Sequence, residues 1–573
     1  MTKATRRGLV IIGIIVAGLM VIGFMARSAR RPAHGSVVEI YIGGDIPEWA
    51  GDDLLSDLLG GKQLVLRDYV EAILRARDDD RIKGLLVTID APALGFARLQ
   101  ELRDVILRFR ESGKPAIAYM ETAGEFSPGN AAYYLASAFS SIWLAPPGDV
   151  NLTGLRAEIT FVRGALDKLK IVPDMDHIGE YKNAMNFFTH KEMTPEHREA
   201  VDALIEAYYR QMRSGIAAGR GMDEGEVVDL IDGGPYLGPR ALDLKLVDRL
   251  GYRDELEAHL GLDNGGRPPL IPLRRYLKGG RYYDRGPKLA LIYGVGSVLR
   301  GENDYNPITG EMVMGSDTIA SAFKEAREDP SIAAVVFRID CPGGSYVASD
   351  LIWREVTLTT AVKPVVVSMG NVAGSGGYFV AMAAHRIVAE PGTITASIGV
   401  LSGKFITTEL WDSLGVTSDA VQRGRHATFF SRGVAYSPEE RAIFRGWLER
   451  IYNDFVGKAA AGRGMTFDEV HAVAQGRIWA GEDALEHGLV DELGGLQTAI
   501  RAALDLAGKD PDGRARLVMI PRPRGWLQRL RDRDDRAVVL VDRLRGEIER
   551  ILAGAGAPGP ERVLEMPFIP VVQ

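Results

Sequence analysis

The sequence predicts an α/β protein made of two copies of one domain in tandem, set behind an N-terminal transmembrane helix. Three observations predict it: an internal repeat, an alternation of short apolar runs with helical patterns inside each copy, and one long uncharged apolar run near the start. The repeat is read directly. Asp79-Asp-Arg-Ile-Lys-Gly-Leu-Leu-Val-Thr-Ile-Asp90 reads like Asp329-Pro-Ser-Ile-Ala-Ala-Val-Val-Phe-Arg-Ile-Asp340. Gly129 to Gly154 lies over Gly374 to Gly399 without a gap at offset 245. Ala218-Gly-Arg-Gly-Met222 matches Ala461-Gly-Arg-Gly-Met465, and Leu246-Val-Asp248 matches Leu489-Val-Asp491, both at offset 243. Matches in the same order at nearly constant offset mark a duplication. The join falls near the Arg/Lys/Gly-rich stretch from Leu273 to Lys288.

Within the second copy the pattern predicts strands at Lys288–Tyr293, Ala334–Ile339, Pro364–Met369 and Ile387–Ala389, and helices at Ser316–Glu328, Tyr346–Thr360 and Gly376–Ala384. Near-continuous apolar strands alternating with helices imply parallel pairing with both faces covered. Longer helices are expected at Thr194–Ala218 and Pro438–Ala461, each long enough to pack on the neighbouring copy. The resulting division is an anchor over 1–31, a first repeat over 36–272, a linker over 273–287, a second repeat over 288–508 and a tail over 509–573. In the tail, Arg522 to Ala553 reads as a solvated helix and Gly554 to Pro560 as a linker.

The uncharged run from Gly8 to Ala26 follows Lys3, Arg6 and Arg7. As a helix it spans about 28 Å, close to the hydrocarbon thickness of a bilayer. A signal peptide has a shorter apolar core and a small-residue cleavage site, which Ala26-Arg27-Ser28 matches poorly. Arg27, Arg30 and Arg31 flank the far end, so basic residues stand on both sides and charge does not set the orientation. The whole chain of 573 residues carries 69 Lys+Arg against 76 Asp+Glu, a net charge of -7. That balance argues against a nucleic-acid partner. Cys341 is the one cysteine, which excludes an internal disulfide and a multi-cysteine metal cluster. Metal-ligand and nucleotide-loop motifs are missing from the sequence, so no metal and no cofactor are expected.

Two glycine-rich loops of the second copy follow strands: Asp340-Cys-Pro-Gly-Gly-Ser345 and Asn371-Val-Ala-Gly-Ser-Gly-Gly-Tyr378. The second places Ser375 at the opening of a helix, where free N–H groups favour developing negative charge. The first could aim N–H groups into the same cleft as an oxyanion hole. In the first copy, position 375 aligns with Asn130, Gly376-Gly377 with Ala131-Ala132, and Pro342-Gly343-Gly344 with Pro92-Ala93-Leu94. Glycines needed for folding alone would be kept in both copies, so the second copy carries a site that the first does not. A serine nucleophile needs a base. His385 reads as a strand-edge residue, His426 has Arg425 beside it and no carboxylate to orient it, and a buried lysine is the alternative. Asp340 and Arg338 are expected to form a pair that holds the loop, and Cys341 to be structural.

Arg338-Ile-Asp-Cys-Pro-Gly-Gly344, Ala373-Gly-Ser-Gly-Gly-Tyr378, Thr395-Ala-Ser-Ile-Gly399 and Gly179-Glu-Tyr-Lys-Asn-Ala184 together resemble the motifs of the signal peptide peptidase A family, in its long, duplicated, membrane-anchored bacterial form. The resemblance runs from the anchor to about residue 505, with Cys341 where the family usually has serine. It implies a ClpP/crotonase-like fold and a Ser-Lys dyad drawn from both copies. Ser375 would be the nucleophile, Lys182 the general base, Ser397 the serine that bonds the lysine, and the Gly344 N–H the oxyanion donor, with Gly343 and Gly376 supporting it. It further implies peptide substrates such as remnant signal peptides, a homotetramer, a lipid contact through the single N-terminal span, and a body on the periplasmic side of the cytoplasmic membrane. The repeat arithmetic adds a point of its own. At offset 243 Lys182 falls on Arg425, and arginine stays protonated and cannot act as the base. A crotonase-like acyl-CoA enzyme and a catalytically silent membrane scaffold are the alternatives; neither needs Ser375 or Lys182.

Overall fold

A computed structural model of the chain describes residues 32–50, 63–261, 269–306, 310–522 and 564–565. The first repeat contains β1 (Ser36–Gly44), α1 (Leu66–Asp78), β2 (Ile82–Pro92), α2 (Phe96–Arg110), β3 (Ala116–Met120), α3 (Asn130–Ala136), β4 (Ser141–Leu144), β5 (Val172–Ile178), α4 (Pro195–Arg220), β6 (Arg249–Leu250) and β7 (Leu270–Pro272). Its sheet runs β6-β4-β3-β2-β1-β7, and all its pairings are parallel.

The second repeat repeats this plan. It contains β8 (Lys288–Val295), β9 (Ser297–Leu299), α5 (Ser316–Glu328), β10 (Ile332–Cys341), β11 (Gly343–Gly344), α6 (Tyr346–Thr360), β12 (Val365–Gly374), α7 (Gly376–Ala381), β13 (Arg386–Ala389), β14 (Ile394–Ala396), β15 (Val400–Ile406), α8 (Pro438–Arg463), β16 (Ile478–Ala480), α9 (Leu496–Leu506) and β17 (Arg516–Met519); β18 (Leu564–Glu565) follows in the tail. The main path is β16-β14-β12-β10-β8-β17. β12 is longer than its apolar run suggests, because Val372 to Gly374 pair with β14 after Val366 to Ser368 have paired with β13. The helix expected over Gly376–Ala384 stops at Ala381.

Side-chain alternation along these strands decides how the repeats meet. On a strand, neighbouring side chains point to opposite faces. Ala290, Ile292, Val335, Phe337, Val365 and Val367 share a core with Phe323, Ile352, Phe379 and Phe455 of the same repeat. Leu289, Leu291, Ala334, Val336, Val366 and Val388 share another with Leu74, Leu102, Val105 and Phe109 of the first repeat. One face of the second sheet is thus covered by Leu496, Ala499 and Ile500 of its own α9 together with helices of the first repeat. At the join, Tyr276, Tyr282 and Tyr283 are buried, and the Arg75 guanidinium lies 4.2 Å from the Tyr276 ring centre.

The long helices α4 and α8 show the duplication in their ends. Each has 26 residues, an N-cap hydroxyl (Thr194 or Ser437), proline at its first position, and a left-handed glycine at its C-cap (Gly221 or Gly464). Side-chain oxygen at the N-cap and glycine at the C-cap satisfy the backbone groups that a helix leaves unpaired. Among the described residues no helix is long and apolar enough to cross a membrane. The expected span over Gly8–Ala26 lies outside the described residues, as do nearly all of the charged stretch after Arg522 and the linker over 554–560.

Buried charges fasten the repeats together. Arg338 of β10, 1% exposed, binds both oxygens of Glu48 at 2.5 and 3.0 Å and Glu101 at 2.7 Å. Both carboxylates belong to the first repeat. Asp340 pairs with Arg98 of the first repeat and accepts from the Val372 N–H at 3.0 Å. The expected Arg338–Asp340 pair is therefore corrected: each of the two finds its partner across the repeat boundary, where burial demands a counter-charge. Burial alone would raise the Glu48 carboxyl, but Arg338 and Arg98 hold it below its ordinary value. Glu390 is different. It is 1% exposed, and neither of its oxygens has a hydrogen-bond partner among the described residues. Burial, and then the nearby Asp104 and Glu101 carboxylates, push it well above 4.5, against the weaker pull of Arg338 and Arg108.

Two outcomes follow. Arg338→Met strands two buried carboxylates and is expected to cost about 3–5 kcal/mol of stability in denaturant titration; a loss below about 1 kcal/mol would mean that the network is not holding the repeats. For Glu390 the folded-state pKa is raised, so its contribution is present below 4.5 and is lost as pH rises toward the folded value. Glu390→Gln should therefore raise the melting temperature more at pH 8 than at pH 5, whereas an equal shift at both would show that the carboxyl does not titrate.

Candidate active site

β12 ends in the Gly374-Ser375-Gly376-Gly377 turn, and Ser375 caps α7 with φ 54° and ψ -115°. That conformation is costly for a residue with a side chain. It is held by the Ser375 N–H donating to Ala396 O at 2.7 Å and by the Phe379 N–H donating to Ser375 O at 2.8 Å. Ala396 and Ser397 also have positive φ, 65° and 52°. Three strained residues without a glycine among them meet at one point, which is where strain is commonly found in functional sites.

Lys182 reaches that point from the other repeat. β5 pairs antiparallel with β15, Val172 opposite Ile406 through Ile178 opposite Val400, and the turn after β5 carries Lys182. The turn is pressed onto Gln475 and Gly476 of the second repeat, with the Tyr181 N–H donating to Gln475 O at 2.8 Å. A Cβ on Gly476 would lie 2.5 Å from Lys182 N, and one on Gly179 would lie 2.4 Å from the Gln475 backbone. Those two glycines let the chains touch. Lys182 Nζ then lies 2.8 Å from Ser375 Oγ, 3.1 Å from Ser397 Oγ and 3.0 Å from Ser397 O. The Ser397 hydroxyl is 3.4 Å from Gly476 O, to which it donates. All three side chains are fully buried.

The other loop lies alongside. Gly343 and Gly344 form β11 with φ 119° and 150°, and a Cβ on Gly344 would meet Val298 O at 2.2 Å. A Cβ on Gly376 would lie 3.1 Å from Gly344 N, and one on Gly377 2.5 Å from Cys341 O. The glycines are thus what allows the two loops to approach each other. The Cys341 sulfur accepts from the Gly343 N–H at 3.3 Å and so braces this loop.

The counterparts in the sister positions have other work. Asn130, where the first repeat aligns with Ser375, donates to Gly154 O at 2.8 Å and accepts from Thr153 N at 3.0 Å. Arg425, where the second repeat aligns with Lys182, is exposed and pairs with Glu439 at 3.1 Å. His385 accepts from the Val365 N–H through Nδ1 at 3.1 Å, a strand-edge role. His426 does have carboxylates nearby, Glu439 and Glu440 at 3.8 Å, contrary to expectation: the cap of α8 brings them to it. Sequence reasoning missed Glu48, Glu101 and Arg98 as supports of the loop, and Gly476 as the seat of Lys182. No local signal in the sequence marks the first three.

Known proteins share both halves of this chain. The model of Peptidase family S49 matches residues 108–264 and again 357–510. The chain belongs to peptidase family S49. This S49 chain is 31% identical to the chloroplastic serine protease SPPA of Arabidopsis thaliana over 92% of its own length and 77% of that protein. It is 34% identical to Protease 4 of Salmonella typhi over 77% of its own length and 72% of that protein. The motif resemblance to signal peptide peptidase A is thereby shown, and the chain is a serine peptidase with its S49 domain present twice. Among solved structures, a mutant of ClpP1 from Listeria monocytogenes is similar at 12% identity over 36% of this chain and 90% of that one, with a TM-score of 0.22, a likeness too slight to bear on the site. Among the described residues, no group of three or more His, Cys, Asp or Glu side chains is placed to hold a metal ion.

The strain at position 375 is measurable without activity. Ser375→Gly and Ser375→Ala both remove the hydroxyl, but only alanine keeps a Cβ at positive φ. The glycine variant is expected to be the more stable by about 1 kcal/mol in thermal unfolding; equal stability would mean that the backbone at 375 relaxes freely.

Proposed function

We propose that this S49 peptidase is a membrane-anchored endopeptidase that cuts extended apolar peptides, remnant signal peptides among them, with a Ser375–Lys182 dyad. The observation that carries the reading is the 2.8 Å contact of Lys182 Nζ with Ser375 Oγ, made between residues 193 positions apart and between repeats. Burial disfavours an ammonium relative to a neutral amine. As a neutral amine, Lys182 donates its two N–H groups to the Ser397 carbonyl and hydroxyl and turns its lone pair to the Ser375 O–H.

In this reading Ser375 Oγ attacks the peptide carbonyl as its proton passes to Lys182. The tetrahedral oxyanion is met by the Gly344 N–H, whose loop Gly343 and Gly376 bring alongside. When the carbon–nitrogen bond breaks, the leaving amine takes the proton from Lys182, leaving an acyl-Ser375 ester. Water then attacks the ester, giving its proton to Lys182, and the released Ser375 oxygen recovers it. Ser397 keeps the amine aimed throughout. This chemistry requires no metal and no cofactor, and the family resemblance implies a ClpP/crotonase-like fold.

The run over Gly8–Ala26 is the anchor of this proposal, with the body on the periplasmic side of the cytoplasmic membrane and four copies assembled. Assembly is supported by exposed apolar side chains on one segment of the second repeat, Val421 at 89% and Phe430 at 69%, the kind of surface that partners cover.

Ser375→Ala and Lys182→Ala should each lower kcat/KM on a fluorogenic apolar peptide by on the order of 10⁴-fold. Lys182→Arg should not restore it, since a guanidinium keeps its proton. Ser397→Ala should cost on the order of 10²-fold through a misaimed amine. Full hydrolysis by both alanine variants at 375 and 182 would show that the dyad is wrongly assigned.

A further inference from the structure

The seat of Lys182 is a strained stretch of main chain. Gln475 and Gly476 both have positive φ, 54° and 82°. A residue with a side chain persists in that region only where its surroundings hold it there. Two backbone bonds pin the pair: the Gly476 N–H donates to Ile398 O at 2.7 Å, and the Tyr181 N–H donates to Gln475 O at 2.8 Å. Arg477 comes next, immediately before β16.

Arg477 reaches the surroundings of the dyad in two ways. Its carbonyl accepts from the Ser397 N–H at 2.9 Å, at another residue with positive φ. Its guanidinium lies 5.0 Å from the ring centre of Tyr181, the residue before Lys182, and 4.1 Å from that of Trp479. Both terminal nitrogens donate to Glu199 of α4, each at 2.7 Å. Trp479 is fixed in turn by its indole N–H, which donates to Val473 O at 2.8 Å. A planar fork bonded through both arms and attracted to two ring faces is held in one orientation. Glu199 is 48% exposed and Arg477 17%, so the ion pair by itself adds little stability. Its effect is geometric: it ties α4 and the Tyr181–Lys182 turn of the first repeat to the start of β16 in the second.

We propose that Arg477 is a positioning residue for the peptidase reaction, acting through Tyr181 and the Ser397 main chain to keep the Lys182 amine aimed at Ser375. The proposal rests on the dyad reading given above. A loosened clamp misaims the amine without altering the surface that meets the peptide, so its mark is a lower kcat at an unchanged KM.

The test uses the full chain and a fluorogenic apolar peptide. Arg477→Met keeps an aliphatic stem and removes the fork; kcat is expected to fall on the order of tenfold, with KM within about twofold. Tyr181→Leu should act alike, whereas Tyr181→Phe keeps the ring face and should hold kcat within about twofold of the wild type. The Arg477→Met/Tyr181→Leu double variant should be no slower than the slower single one, because the two are parts of one clamp. Glu199→Gln changes only an exposed end of the clamp and should lower kcat by about threefold. If Arg477→Met and Glu199→Gln both leave kcat within about twofold, or raise KM in place of lowering kcat, the proposal is overturned with the dyad still standing. Losses that multiply in the double variant, or equal losses for Tyr181→Phe and Tyr181→Leu, overturn it as well. Hydrolysis retained by Ser375→Ala or Lys182→Ala overturns the dyad, and this proposal with it.

Discussion

The second sheet is buried on both faces, and one of those faces is closed by α9 and the first repeat together. Everything at the site depends on that constraint. A parallel sheet cannot leave an apolar face in water, and here Leu289, Ala334, Val336 and Val366 share a core with α9 and with α1 and α2 of the sister repeat. Once the repeats are held in that register, Arg338 can be neutralised by Glu48 and Glu101, the turn after β5 is set on Gly476, and the Lys182 amine arrives at Ser375. Apolar area supplies the attraction, roughly 25 cal/mol for each Å² withdrawn from water. The buried charges add selectivity, because a register slip would leave them unpaired at a cost of several kcal/mol.

The two halves have kept one scaffold, and in the proposed reading they divide the chemistry between them. N-caps, C-cap glycines and sheet order agree between α4 and α8 and between the two sheets, since these features determine whether each half folds. The residues at the site obey no such requirement. Asn130, at the position that aligns with Ser375, clasps Gly154, and Arg425, at the position that aligns with Lys182, forms an exposed ion pair.

Much of this was legible in the sequence because it rests on local rules. Periodicity located α5 and α6 to the residue, and the repeat offsets paired Lys182 with an arginine and Ser375 with an asparagine. What stayed hidden is what depends on contacts between distant segments. The partners of Arg338 lie 290 and 237 positions away, and nothing local distinguishes Glu48 or Glu101 from a solvated acid. The continuation of β12 through Gly374 depends on β14 as its neighbour, and a glycine-rich stretch has no strand propensity of its own to announce it. The pairing of β18 with β11 joins residues more than 200 positions apart, and no local pattern marks Leu564 and Glu565 as a strand.

The separation of Lys182 from Ser375 along the chain has a consequence in time. Synthesis runs from the N-terminus at about 5–20 residues per second, so the 193 positions between them take about 10 to 40 s. Through that interval Lys182 meets no serine, and β5 and the turn after it wait for the β15 partner and the Gly476 seat that the second repeat supplies. In the proposed reading the dyad is therefore silent while the chain is being made.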